Sequence, residues 1–392
     1  MASVAEEKYL ISLIKSVLSG SEAPKKPDDV DILRVFVLAK LHGMIELVSY
    51  AVPSVSSQIG KELLDAVERL KLLGVAKEIH QDAELSAISE LFEKNGIDLA
   101  LLKGSIIKRL YPSPDMRSMC DVDILIRKKD LSRADKLIMR ELEFPTRLEG
   151  PHDISYKRPP FVNIELHYSI TDEDLDKKAF KFFKNAWSLV QKSGDYSHIY
   201  ELTGENFYIH HIEHMAKHYR FGGCGVRAFC DIFVYLNAYK DSLDWEYINE
   251  SLNTLCLTEF ARHAEAAAYK WFGDGEGDSA TEAIERYIMS GGSYGTKERA
   301  DIGINAVRFG KNRKISKSRR LMARVFPSFG VMKRVYPVLK KAPFLLPFMY
   351  PVRIISRLLF KKGRVKEGLE TSKIQAGLEA HLNHLESVGL SV

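Results

Sequence analysis

The stretch Asp121-Val122-Asp123-Ile124-Leu125-Ile126 is the strongest constraint on how this chain folds. Its apolar residues read as a strand entering a core, yet two carboxylates stand at i and i+2. In a strand that spacing projects both from one face, roughly 6–7 Å apart. An apolar strand has no structural use for two like charges side by side, and they cost stability unless a cation sits between them. Hard Mg²⁺, which takes carboxylate oxygens, is the natural candidate. Upstream, Lys103-Gly104-Ser105 lies where a strand, Ile97 to Leu102, runs into a helix, Ile106 to Leu110. A small-residue turn at a helix N-terminus exposes backbone N–H groups that suit phosphate oxygens. A phosphate cradle beside a carboxylate pair describes a site for phosphoryl or nucleotidyl transfer.

The rest of the chain is read around that site. Its 392 residues, 45% hydrophobic and 28% charged, predict two or three packing units of ordinary soluble composition. The cysteines Cys120, Cys224, Cys230 and Cys256 form no CxxC pair, which argues against a zinc ribbon and favours a reducing compartment. The first residues are acidic where a signal peptide is basic, and no run of about 18 apolar residues follows, so a cytoplasmic protein is expected. The net charge of +5 hides an asymmetry. Ile302 to Lys366 contains no Asp or Glu, while Arg308 to Lys366 contains 18 Lys and Arg. An acidic body thus carries one basic segment, and that bears on its partners.

Periodicity divides the chain into four stretches. Residues 1–95 are predicted helical, with Tyr9, Leu10, Leu13, Ile14 and Leu18 at helical spacing and a long helix from Gln58 to Lys94 ending at Asn95-Gly96. Residues 96–200 form the α/β core, with strands Ile97–Leu102, Val122–Ile126, Ile154–Lys157 and Val162–Leu166 and a helix Leu131–Leu142. Residues 201–300 return to helix, Phe207–Tyr219 and Val226–Tyr239, joined through Gly222-Gly223 and Gly225, with loops over 273–279 and 290–296. Residues 301–392 form a basic tail broken by prolines into short helices. The fold class expected is α+β, a small mixed-sheet core flanked by N-terminal and C-terminal helical regions.

The pattern Leu102-Lys103-Gly104-Ser105, Tyr111-Pro112, Arg117 and Asp121-Val122-Asp123 resembles the DNA polymerase beta-type nucleotidyltransferase superfamily, and within it a group of uncharacterised nucleotidyltransferases. Glu165, in Asn163-Ile164-Glu165-Leu166-His167, stands where the superfamily carries a third carboxylate. The spacing from Gly104-Ser105 to Asp121 is longer than in minimal members, and Tyr111-Pro112-Ser113-Pro114 absorbs the difference. The resemblance implies that Asp121, Asp123 and Glu165 are catalytic and hold two Mg²⁺, with Mn²⁺ as the alternative ion. Lys103, Gly104, Ser105 and Arg117 would then bind the nucleotide, and His167, His214, Arg227 and Asp231 would face the substrate. The reaction implied is transfer of a nucleoside monophosphate, AMP from ATP first among them, onto a hydroxyl of an unidentified acceptor, with release of pyrophosphate.

Other features admit plainer readings. Gly-Ser alone is a turn, Glu165 alone is a solvent-facing strand residue, and His167 either lines the site or hydrogen-bonds Glu165. His211, His214 and His218 make one helical stripe, either metal-binding or a polar face packed on the core. Arg227 and Asp231, at i and i+4, either form an intrahelical ion pair or hold the acceptor. Residues 308–366 face an anionic membrane surface, as in a peripheral membrane protein of lipid-linked saccharide synthesis, or nucleic acid, or dock on the acidic body. Against the enzyme stands a nucleotide-binding module without turnover, half of a regulatory or toxin–antitoxin pair.

Overall fold

The computed structural model describes residues 2–150, 153–171, 176–309, 322, 325–327, 329–360 and 371–391. Within the basic segment 308–366, the stretch Lys311–Arg320 and residues 361–366 lie outside the described residues. The chain forms two compact units. One comprises Met1–Ala300 with Leu385–Ser391, and the other is built from Asp301–His384.

The first unit is organised by a seven-stranded mixed sheet. Its strands are β1 (Leu99–Leu101), β2 (Val122–Ile126), β3 (Thr146–Glu149), β4 (Asp153–Arg158), β5 (Val162–His167), β6 (Val190–Lys192) and β7 (Ile199–Leu202). They lie in the order β3-β4-β5-β2-β1-β7-β6. β2 is the central strand, antiparallel to β1 and parallel to β5. All five of its residues are buried, as a near-continuous apolar run with both faces covered requires. The α+β class expected from the sequence is the class observed. β3, β6 and β7 went unread; the first is polar and half exposed, and the other two are three and four residues long.

Period-two alternation splits the hydrophobic side chains of this sheet between two cores. Val122, Ile124 and Ile126 join Val162, Ile164 and Leu166 on one face. There they pack with Leu85, Ile88 and Phe92 of the Lys61–Lys94 helix and with Ala134, Leu137 and Ile138 of the Leu131–Glu141 helix. Ala100, Leu102 and Leu125 fall on the opposite face, within the larger core. That core is built largely from helices, among them Val4–Ser19, Gly204–Arg220, Val226–Tyr239 and Thr258–Phe272. Asp123 shares the parity of Leu125, so the carboxylate looks toward the helical body.

Capping explains where the long helices begin. Ser3 and Glu6 form a reciprocal capping box on Val4–Ser19, and Thr203 caps Gly204–Arg220 through Asn206 N–H. In the second unit, Ala306, Leu378 and Leu382 form a small core with Ile302. The helix Leu346–Phe360 there carries Pro351 inside it.

Phe92 is fully buried between the long helix and the sheet. Phe92→Ala is expected to lower unfolding free energy by about 3–5 kcal/mol, read as a lower urea midpoint with an unchanged denaturant slope.

Candidate functional site

The carboxylates meet because of strand register. β2 and β5 run parallel with Asp123 paired to Glu165 and Leu125 to His167. Val162, Ile164 and Leu166 point into the core beneath, so Asn163, Glu165 and His167 point to the face that Asp123 occupies. Ligand atoms of Asp123, Glu165 and His167 all lie within 4.8 Å of one another. His167 Nε2 is 2.7 Å from Asp123 Oδ1 and 3.5 Å from Glu165 Oε2. The imidazole therefore engages Asp123 first, where the sequence had allowed a bond to Glu165. On the other carboxylate oxygen, Lys103 Nζ stands 3.0 Å from Asp123 Oδ2.

These contacts set the titration of the cluster. Burial works to raise the Asp123 carboxyl, but the Lys103 charge and His167 outweigh it and hold the group well below the usual carboxylate range. Asp121 has no such partner, so burial and the neighbouring Asp123 charge push it up. Glu165 is raised by burial and by the charges of Asp121 and Asp123. The Asp123 and Glu165 carboxylates and the His167 imidazole, with the Asp121 charge acting on both carboxylates, form a donor set that fits a divalent cation. The imidazole among them suits Mn²⁺ as well as Mg²⁺.

Lys103 reaches Asp123 from a strained turn. Its φ is +47°, in the region that favours glycine, and it opens the short Gly104–Ile107 helix without a side-chain cap. Gly104 is required by close packing. A Cβ there would collide with the Met119 sulfur and sit 2.6 Å from Arg117 Nη1. Ser105 is buried, its Oγ has no hydrogen-bond partner among the described residues, and it does not line the adjoining cavity.

Arg117 and Asp231, far apart in sequence, form a buried bidentate pair with Nε–Oδ1 3.1 Å and Nη2–Oδ2 2.8 Å. Tyr111 OH donates to the same Oδ1 at 2.7 Å. Burial alone would raise Asp231, but the guanidinium beside it brings the carboxyl below its ordinary value. Arg227 instead donates to the Ser118 carbonyl at 2.9 Å. The intrahelical Arg227–Asp231 pair allowed by their spacing gives way to these longer-range partners.

Between the carboxylate face and the helices lies a cavity of about 210 Å³. Lys103, Gly104, Arg117, Asp121 and Asp123 line one side, and His210, His214 and His218 of the Gly204–Arg220 helix line another, with Arg227 and Tyr294. The stripe runs at i, i+4 and i+8. His211, which the sequence spacing assigns to the stripe, also borders the cavity but places its Nε2 3.1 Å from the Ala228 carbonyl. His210 was missed in the sequence because its neighbour fits helical periodicity as well. His214 and His218 approach through their Nε2 atoms, 3.2 Å apart. Burial, then the Lys103 charge, lowers His210 to about 3 and puts His214 well below its usual range. Burial with Lys217 and Lys103 lowers His218 to about 4. The wall is thus neutral at physiological pH, able to donate and accept hydrogen bonds.

The half-buried Asp121 and Glu165 and the buried Asp231 predict opposite stability effects. Asp121 and Glu165 have raised pKa values, so what they contribute favours the fold below the ordinary carboxyl range, near pH 4, and is lost as pH rises through the raised values. Asp121→Asn removes repulsion and is expected to leave the melting temperature at pH 7 unchanged or higher. Asp231→Asn strands the Arg117 charge and is expected to cost about 3–5 kcal/mol. Thermal melts of the two variants across pH check both.

Residues 28–273 match a family described as uncharacterised nucleotidyltransferase. No curated protein and no solved structure matches the chain. The family match takes in the sheet, the Lys103 turn, Asp121, Asp123 and Glu165, and the histidine helix. It covers more than half of the sequence, and the chain belongs to that family of nucleotidyltransferases.

Proposed function

We propose that the protein transfers AMP from ATP onto a hydroxyl group of an acceptor held in the cavity, releasing pyrophosphate. Nucleotidyl transfer is the chemistry of its family. The observation that carries the finer reading is the register pairing of Asp123 with Glu165, with Lys103 on the same carboxylate and a neutral histidine wall across the cavity.

In this reading Asp121, Asp123 and Glu165 hold the divalent ions, and His167 orients Asp123 through its Nε2 contact. Bound Mg²⁺, or Mn²⁺ in its place, supplies Lewis-acid polarisation of the phosphates and of the attacking hydroxyl. Lys103, which lines the cavity beside Asp123, would bind a triphosphate oxygen. Gly104, which lines the cavity, borders the phosphates. Arg117, held by Asp231, steadies developing charge from a fixed position. His214 and its neighbours, with Arg227, orient the acceptor. The acceptor oxygen bonds to the α-phosphorus as the bond to the bridging oxygen of the β-phosphate breaks.

One observation favours the competing module that binds nucleotide without turnover. Both oxygens of Asp123 are engaged from within the protein, by Lys103 and His167. Incubation of the protein with Mg²⁺, a cell extract and ATP labelled at either phosphate separates the two readings. Label from the α-phosphate is expected to pass to an acceptor, label from the γ-phosphate to leave as pyrophosphate, and Asp123→Asn to lower transfer by about a thousandfold with the fold intact. Nucleotide binding with no α-label transferred by the wild type establishes the module, and transfer that survives Asp123→Asn removes the carboxylate assignment.

A further inference from the structure

Over residues 346–356, the helix Leu346–Phe360 in the second unit has inverted polarity for a helix in water. Arg353 is only 9% exposed, and its Nε has no hydrogen-bond partner among the described residues. Phe348, Val352 and Ile355 are 70%, 48% and 56% exposed. These three stand at i, i+4 and i+7, one stripe of the helix, and Phe344 of the preceding turn extends it at 75% exposure. Helices of globular proteins place such residues against a core and turn their cations outward. The side opposite this stripe is held inside the unit. Tyr350 OH donates to the Pro327 carbonyl at 3.0 Å, and its ring meets Phe326 edge-on at 5.1 Å. The outward stripe is therefore presented by packing within the unit, from a helix anchored on its other side.

We propose that this face docks on an anionic lipid bilayer, lying in the interface with Phe344, Phe348, Val352 and Ile355 inserted among the acyl chains. The charge of the surrounding sequence selects this occupant. Ile302 to Lys366 contains no carboxylate, and 18 Lys and Arg fall within Arg308–Lys366, whereas the rest of the chain is acidic. Each cation close to a negatively charged leaflet adds to attraction, while the apolar stripe adds insertion. Nucleic acid needs cations where this face presents large apolar side chains. Spanning is excluded for the helix itself. Its 15 residues rise about 22 Å against a hydrocarbon core of about 30 Å, and none of the described helices is long and apolar enough to cross a membrane. Docking of the bulky-aromatic face on a second copy of the chain would bring two cationic segments together, which a bilayer avoids. The inference goes beyond the nucleotidyl-transfer reading and does not depend on it.

Flotation of the full chain with vesicles of equimolar phosphatidylglycerol and phosphatidylcholine tests the proposal. The wild type is expected to float with these vesicles, to stay behind with pure phosphatidylcholine, and to be released by high salt. The Phe344→Ser/Phe348→Ser variant, altered only at exposed positions, is expected to lose about tenfold in bound fraction with an unchanged melting temperature. Ile355→Ser supplies an independent variant of the same stripe, expected to weaken binding in the same direction. Equal flotation of wild type and double variant overturns the proposal, as does a wild type that fails to float. A wild-type dimer that the double variant dissociates, without flotation of either, assigns the face to a second copy and overturns it too. So does single-stranded RNA binding that the vesicles do not match.

Discussion

The parallel pairing of β2 with β5 is the constraint on which the rest of the site depends. One residue of slip would turn Glu165 and His167 into the hydrophobic core and bring Ile164 or Leu166 up beside Asp123. The same apolar positions that stabilise the lower face, Val122 and Ile124 with Val162, Ile164 and Leu166, therefore hold the polar face in register. Stability and site geometry arise here from one set of contacts. The cost is a carboxylate cluster whose repulsion is relieved on Asp123 by Lys103 and His167 and is left standing on Asp121 and Glu165. Such unrelieved charge in an otherwise well-packed sheet is characteristic of a site shaped for a ligand.

A second buried interaction ties the sheet side of the cavity to the helical side. Arg117, in the loop entering β2, is clamped by Asp231 of the Val226–Tyr239 helix, and Tyr111 satisfies the same carboxylate. The charge pair is desolvated, bidentate and hydrogen-bonded, which is the arrangement in which a buried pair holds its geometry rather than merely surviving. It ties the loop entering β2 to the Val226–Tyr239 helix, which itself lines the cavity through Arg227, Ala228 and Asp231. Lys103 completes the wall from a backbone conformation that a β-carbon disfavours, and that strain points to a positioned ammonium group.

Much of the site was legible in the sequence because its signals are local. Asp123 in an apolar run, and Glu165 flanked by Ile164 and Leu166, carry their strand and their face in the pattern itself, whereas Asp121 precedes β2 and stands outside the cluster of Asp123, Glu165 and His167. What was not legible depends on contacts between distant residues. Helical spacing made an Arg227–Asp231 pair available, yet the bidentate geometry that won joins Asp231 to Arg117 in another element. Helical periodicity likewise could not rank His210 against His211, since burial on one side of a helix is decided by what packs there. Gly104 looked like a phosphate turn, and its lack of a side chain is explained first by Met119 and Arg117 lying against it. The edge strand Thr146–Glu149 alternates no apolar residues, so nothing in its composition distinguished it from a loop.

The β2–β5 register is expected to make a divalent-metal site. Titration of Mn²⁺ in the presence of ATP, followed by electron paramagnetic resonance of the free ion, measures this directly. Mn²⁺ uptake is expected for the wild type, with its loss in Asp123→Asn and about tenfold weaker uptake in Glu165→Gln. Uptake by Asp123→Asn equal to that of the wild type would contradict a metal site at this register.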